Sequence, residues 1–228
     1  MLRVFKIVCL SLGSLGFATL VVAGENNRVF VTQDSGTAGV GNTLSINQSQ
    51  ARNSLVLGQA EPSDPTNQLD IDTLALDAPA VQSGGNNSAT VELSGSGGLV
   101  FFNQDSTGLL NALGNDALVS LTGNGAIVLE QIGQNNSASI TVDGEDSTGI
   151  LRQFGNNNEG SVNVRAPNAS GELVQDGNDL NLTLEVLGAG SDVQFTVQGS
   201  NVGNPTGARN ASVFTTAGSV TITQTVLP

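Results

Sequence analysis

Residues 131–142 read QIGQNNSASITV, and this stretch decides the fold. The residues before Gln131 alternate apolar and polar side chains, and residues 137–142 alternate again. Alternation with a period of two is typical of a half-buried β-strand. Between the two runs, residues 133–136 supply glycine and asparagine, which favour tight turns. The stretch therefore predicts a strand, a turn and a second strand.

The same unit recurs along the chain at a fixed period. Gln131, Gln153 and Gln175 are spaced 22 residues apart, and each lies two residues before a glycine. Gln82 and Gln104 are also 22 residues apart, whereas about five extra residues lie between Gln104 and Gln131. A fixed period of this length indicates a repeat architecture in which each unit stacks on its neighbours. We therefore predict an all-β fold, a β-solenoid or β-arcade of strand-turn-strand repeats of about 22 residues.

Stacking gives each repeated position a physical role. Neighbouring strands lie about 4.8 Å apart, so a glutamine that recurs at one position can bond to the amides above and below it. An exposed polar residue at each strand end is the alternative, but the equal spacing favours a ladder. The predicted ladder residues are Gln82, Gln104, Gln131, Gln153 and Gln175.

Glycine and asparagine adopt the positive φ angles that tight corners need. Small or branched apolar side chains suit the narrow space between two stacked sheets. The predicted turn residues are Gly84, Gly133, Gly155, Gly177, Asn87, Asn136 and Asn158. The predicted core residues are Ala89, Ala138, Ile140, Val142, Val162 and Leu182.

The first residues have the pattern of a secretory signal. Arg3 and Lys6 precede an apolar stretch over residues 7–22, and small residues follow up to Ala23. This order is typical of a signal peptide, and we predict its removal after Ala23. An uncleaved membrane anchor is the alternative, but the apolar stretch is short for a full span.

The rest of the chain divides into three parts by its pattern. Residues 24–80 form an irregular β segment with a loop at 60–68, where two prolines interrupt the alternation. Residues 81–198 form the repeat array, and residues 199–228 supply C-terminal strands. Within the first part, the glutamines at 33, 48 and 59 do not keep the period of 22. Residues 69–76 alternate as a strand, and residues 109–117 fit either a strand or a short helix.

Charge and composition exclude several classes of function. Removal of residues 1–23 takes away two of the seven basic residues and none of the 20 acidic ones, so the formal charge changes from −13 to −15. Such a surface repels nucleic acid and anionic membranes. The remaining chain contains no histidine, cysteine or lysine. It therefore lacks the commonest bases, thiol nucleophiles and transition-metal ligands.

Carboxylates remain as candidates for chemistry. Asp70 and Asp72 share one face of the predicted strand, and residues 143–146 form an acidic turn. Two carboxylates serve glycoside hydrolysis, and carboxylate oxygens bind Ca²⁺. The spacing of a calcium loop is absent, however, and we interpret both features as solvated surface groups. We predict no enzyme activity, cofactor, metal or small-molecule substrate.

These residues resemble the curlin repeat, Ser-x5-Gln-x-Gly-x-x-Asn-x-Ala-x5-Gln, found in subunits of curli-type bacterial amyloid fibres. The resemblance covers residues 76–186 well and the flanks loosely, and the closing Gln is replaced by Gly95, Gly144 and Ala166. The matching residues are Gln82, Gly84, Asn87 and Ala89; Gln131, Gly133, Asn136 and Ala138; Gln153, Gly155 and Asn158, followed by Gly160; and Gln175 and Gly177, followed by Leu180 and Leu182.

The resemblance implies an exported protein that builds or decorates extracellular fibres in cell adhesion and biofilm matrix. Its expected partners are further copies of itself or a homologous fibre subunit, together with export machinery. The alternative is a monomeric secreted module that binds carbohydrate or another surface component. The absence of Trp and Tyr counts against stacking on sugar rings.

Overall fold

The computed structural model describes residues 6–11, 20–34, 41–58, 80–107, 113–199, 209–216 and 218–225. All regular structure in these ranges is β-strand. Eighteen strands form two parallel sheets, called sheet A and sheet B. Sheet A contains β1 (Lys6–Ser11), β3 (Arg28–Asp34), β5 (Leu55–Leu57), β6 (Ala80–Ser83), β8 (Leu99–Asp105), β10 (Ala126–Gln134), β12 (Thr148–Asn156), β14 (Ser170–Gly177), β16 (Asp192–Gly199) and β18 (Ser219–Thr225). Sheet B contains β2 (Leu20–Glu25), β4 (Thr43–Arg52), β7 (Ser88–Ser96), β9 (Asp116–Thr122), β11 (Ser137–Val142), β13 (Glu159–Val164), β15 (Leu180–Val186) and β17 (Arg209–Thr215).

The chain winds through the two sheets in turn. Each coil contributes one strand to sheet A and the next strand to sheet B, and every pairing between coils is parallel. In the centre, Gln131 is in register with Gln153, and Gln153 with Gln175, so one coil takes 22 residues. This arrangement confirms the predicted all-β solenoid.

The hydrophobic core lies between the sheets, because alternate residues of every strand point inward. The inward side chains are small or branched, as a narrow two-sheet core requires, and only a few phenylalanines such as Phe102 and Phe195 enter it. All six residues that we assigned to the core are buried, namely Ala89, Ala138, Ile140, Val142, Val162 and Leu182.

One strand of sheet A is interrupted by a chain segment. β3 pairs with β5 at Val29–Val56 and then with β6 at Val31–Ala80. β8 likewise pairs with both short strands. β5 and β6 are therefore two parts of one level of the solenoid, separated in sequence by residues 58–79. The predicted loop at 60–68, the predicted strand at 69–76 and its Asp70 and Asp72 lie outside the described residues.

The boundaries predicted at residues 80 and 198 do not correspond to a break in the sheets. β3, β4 and β5 continue into the regular array, and β17 and β18 extend it at the other end. The short helix considered for residues 109–117 is absent from the described residues of that range. Residues 113–115 are irregular and β9 begins at Asp116. The strand pairs in register with β11, and this pairing holds the segment extended.

Candidate functional site

A continuous ladder of glutamine side chains runs along the axis of the solenoid. Each glutamine from Gln33 to Gln153 donates its Nε2–H to the Oε1 of the glutamine in the next coil. All members except Gln33 have no exposed surface. The N···O distances are 2.6, 2.8, 2.7, 2.9 and 2.8 Å along Gln33, Gln82, Gln104, Gln131, Gln153 and Gln175.

The second amide proton of these glutamines ties sheet A to sheet B. Gln131 donates to Asp116 O at 3.0 Å, and Gln153 donates to Ser137 O at the same distance. Because both protons and the oxygen are used, the buried amides are satisfied. A buried polar group that loses its partner costs about 1–3 kcal/mol, so the ladder fixes the register between coils.

Small residues across the core make room for the ladder. Gly160 lies opposite the glutamines, and a Cβ at this position would be 2.6 Å from Gln175 Oε1 and 2.9 Å from Gln153 Nε2. The equivalent position of the neighbouring coil holds Ala138, which is in register with Gly160. Small residues thus occupy this column beside the middle of the ladder, whereas Leu44 and Leu182 occupy it at the two ends.

A second buried ladder is formed by asparagines at the corner that leads from sheet A to sheet B. The Oδ1 of each asparagine accepts the backbone N–H of the equivalent residue in the next coil, at 2.9–3.1 Å. The ladder contains Asn42, Asn87, Asn115, Asn136 and Asn158 and ends on the N–H of Leu180.

This ladder corrects the role that we predicted for Asn87, Asn136 and Asn158. They lie at the turns, but they are buried and do not adopt positive φ. The left-handed residue is the preceding one, as at Asn135 (φ 53°) and Asn157 (φ 56°). The left-handed residue reverses the chain at the surface, and the next residue re-enters the core with its amide pointing inward.

The predicted turn glycines do have left-handed backbone, with φ of 86°, 120°, 106° and 147° at Gly84, Gly133, Gly155 and Gly177. They also permit close contact between coils. A Cβ at Gly133 would lie 1.9 Å from Gly155 O, and a Cβ at Gly155 would lie 2.0 Å from Gly177 O. Backbone conformation and space therefore both require glycine at these corners.

Both ladders stop before the last coil. Val197 occupies the register position that follows Gln175, and Leu180 follows Asn158. The Nε2 of Gln175 instead donates to two backbone carbonyl oxygens, Glu159 O at 2.8 Å and Leu180 O at 3.4 Å. The C-terminal coil is thus held mainly by its backbone pairing and apolar contacts.

A cross-strand ion network lies on the outer face of sheet A. Arg152 Nε is 3.8 Å from Glu130 Oε2, and Arg152 Nη1 is 3.6 Å from Glu172 Oε1. The three side chains are only 16–25% exposed. The network therefore bridges three successive coils of sheet A in a partly desolvated setting.

We expect Arg152→Met to lower the free energy of unfolding by about 1 kcal/mol, because it leaves two carboxylates without their cation. The loss should shrink in high salt, which screens the pair. Urea unfolding at low and high ionic strength measures both effects. Arg165→Met is the matched control, since its single pair with Glu185 spans 3.9 Å and its side chain is 55% exposed. Equal losses for the two variants would contradict the role of the network.

The acidic turn at 143–146 is organised by hydrogen bonds to the preceding coil. The side chains of Asp143, Glu145 and Asp146 are exposed. The Asp146 carboxylate accepts the amide of Asn124, and Asp146 N–H donates to Asn124 Oδ1 at 3.0 Å. In the described part of the chain, no three His, Cys, Asp or Glu side chains form a group that could hold a metal ion.

A shallow depression of about 220 Å³ lies on sheet B beside a register shift in β4. Its lining is mostly polar and contains Glu92 and Leu93 with serine, asparagine and glutamine side chains. One carboxylate alone does not provide the pair that glycoside hydrolysis uses. The described ranges contain no helix that could span a membrane.

Comparison with protein-family models, curated proteins and solved structures found no match to this chain. Sequence reasoning missed Gln33, whose ladder position was obscured by the segment at 58–79. The predicted turn residues also did not include Asn42 and Asn115, although both fit the repeated pattern. Their signal in the sequence is an asparagine directly before an alternating run.

Proposed function

We propose that this chain is an exported structural subunit of curli-like extracellular amyloid fibres, acting in cell adhesion and biofilm matrix. The observation that carries the proposal is the unbroken glutamine ladder over six coils, parallel to the direction in which strands stack. Within the molecule, each central coil already binds the next one through backbone pairing and amide hydrogen bonds. The same interactions between molecules would extend the stack.

The ends of the solenoid support assembly by strand addition. β18 is the outermost strand of sheet A and β17 is the outermost strand of sheet B at the C-terminal end. An outermost strand can pair with an incoming strand through its backbone groups. A head-to-tail contact between identical molecules does not close on itself when it involves no net rotation, and it produces a filament. The partners are then further copies of this chain or a homologous fibre subunit. The chain also needs export machinery to leave the cell.

A second candidate is a monomeric secreted binding module. One observation favours it, namely that both ladders end before the last coil, at Val197 and Leu180. A C-terminal coil without ladder amides offers a weaker template than the central coils do. This candidate predicts a stable monomer that fibre fragments cannot recruit.

The test is assembly of residues 24–228, diluted from denaturant to neutral pH and followed by thioflavin fluorescence and sedimentation. We expect fibres, seeding by preformed fragments, and a longer lag for Gln131→Ala and Gln153→Ala. Gln194→Ala, on the exposed face of β16, should assemble like the unchanged chain. A monodisperse β-rich monomer that no fragment seeds would reject the fibre proposal and favour the binding module.

A further inference from the structure

The N-terminal edge of the array is covered by two strands. β1 pairs with β3 from Lys6–Arg28 to Ser11–Gln33, and β2 pairs with β4 from Leu20–Ser45 to Ala23–Gln48. We propose that β1 and β2 form a removable cap, and that their removal opens the β3–β4 edge to the C-terminal end of a second copy. The proposal rests on the fibre function proposed above.

A misfit beneath the cap provides the first argument. Gln48 of β4 has no exposed surface, and neither its Nε2 nor its Oε1 has a hydrogen-bond partner. Burial of an unpaired amide is unfavourable. Its register partner in β2 is Ala23, whose side chain offers no hydrogen-bonding group. The backbone pairing of β2 with β4 therefore leaves this amide unsatisfied.

The core column that contains Gln48 provides the second argument. Gln48 lies in the register shift of β4 opposite Leu93, and every later member of this column is apolar until β17. There the column ends on a second polar residue, Thr215. The inner members, in register from coil to coil, are Leu93, Leu121, Val142, Val164 and Val186. Polar residues thus occupy the two ends of this column, Gln48 in β4 and Thr215 in β17, and every residue in register between them is apolar.

The C-terminal end matches the uncovered edge in the order of its core positions. In β18, Val220 follows the column of Val193, Ile222 follows Phe195, and the backbone register places Gln224 in the ladder column behind Val197. In β3 the same three columns hold Val29, Val31 and Gln33. When β18 lies beside β3 of the next molecule, Val220 and Ile222 continue columns that are apolar in β3. The backbone register then brings residue 224 to the position of Gln33.

Cleavage after Ala23 would remove the cap as a unit. It takes away all of β1 and residues 20–23 of β2, which are the residues paired with Ser45 to Gln48. Only Gly24 and Glu25 of β2 remain. Water, or the docked copy, then reaches the Gln48 amide. Removal of the predicted signal segment and exposure of the assembly edge become one event.

The experiment uses the full chain with a protease site inserted after Ala23, so that the same molecule is observed before and after cleavage. Both forms are diluted from denaturant at one concentration, and assembly is followed by thioflavin fluorescence and sedimentation. We expect cleavage to shorten the lag by at least about tenfold, which corresponds to about 1.4 kcal/mol. Equal lag times for the two forms would overturn the cap while leaving the fibre function intact.

Gln48→Leu tests how the cap fits on β4. In the uncleaved chain this change removes the unpaired amide, so the unfolding midpoint should rise and the lag should lengthen. After cleavage the side chain faces solvent, and the midpoint should not rise. Failure of both forms to assemble would reject the fibre function and the blocking role of the cap. An unchanged midpoint of uncleaved Gln48→Leu would show that β2 does not pack on Gln48.

Discussion

Gln131→Ala is expected to lower the free energy of unfolding of residues 24–228 by about 3 kcal/mol. The change removes the donor to Gln153 Oε1 and the acceptor of Gln104 Nε2. It also removes the bond to Asp116 O and leaves a cavity between the sheets. Gln104 keeps its bonds to backbone carbonyls, so the largest cost falls on Gln153 Oε1. Urea unfolding followed by circular dichroism measures the loss.

Gln194→Ala is the matched control for this prediction. Gln194 belongs to β16 and its side chain is exposed on the outer face of sheet A. Surface substitutions of this kind change stability by less than about 0.5 kcal/mol. A similar midpoint for the two variants would show that the buried amide of Gln131 does not hold the coils in register.

Gly155→Ala is expected to cost about 2–5 kcal/mol, through two effects that add. A left-handed backbone costs a residue with a Cβ about 1–2 kcal/mol, and φ at Gly155 is 106°. The new Cβ would also lie 2.0 Å from Gly177 O, so one coil would have to move away from the next. Such overlap in a packed structure costs about 1–3 kcal/mol. The same urea titration measures the effect.

Gly190→Ala separates backbone strain from overlap. Gly190 has φ of 68°, and no atom lies within 4 Å of a Cβ built there. Its replacement should therefore cost only about 1–2 kcal/mol. If Gly155→Ala and Gly190→Ala destabilise equally, close contact between successive coils is not what keeps glycine at residue 155.

The regular centre of the molecule can be predicted from its sequence because period, turn chemistry and alternation agree there. Gln131, Gln153 and Gln175 keep one spacing, and the structure joins them through their amides. The solenoid fold and its core follow from the same pattern. A fold can be predicted from sequence where independent local signals agree, as they do in this part of the chain.

The start of the array could not be predicted because a segment interrupts a strand in its middle. The pieces LVL at 55–57 and AVQS at 80–83 are each too short to be recognised as halves of one strand. Both pieces pair with β3 on one side and with β8 on the other. This pairing appears only in the folded structure and not in the local sequence. Gln33 therefore seemed out of period although it belongs to the ladder.

The different roles of two adjacent asparagines also could not be predicted from the local sequence pattern. Asn135 and Asn136 are chemically identical, yet one is left-handed and exposed and the other is buried in a ladder. The difference depends on which residue meets the preceding coil. Asn136 N–H donates to Asn115 Oδ1, a contact that requires the whole stack. Turn propensity alone does not distinguish the two positions.

Fibre diffraction tests the central claim most directly, namely that the parallel stacking of coils continues from one molecule to the next. Aligned fibres of residues 24–228 should give a meridional reflection at about 4.8 Å, the spacing of strands between coils. They should also give an equatorial reflection near 10 Å, the spacing of packed sheets. A preparation that remains monomeric, or assemblies that lack the meridional reflection, would contradict the account.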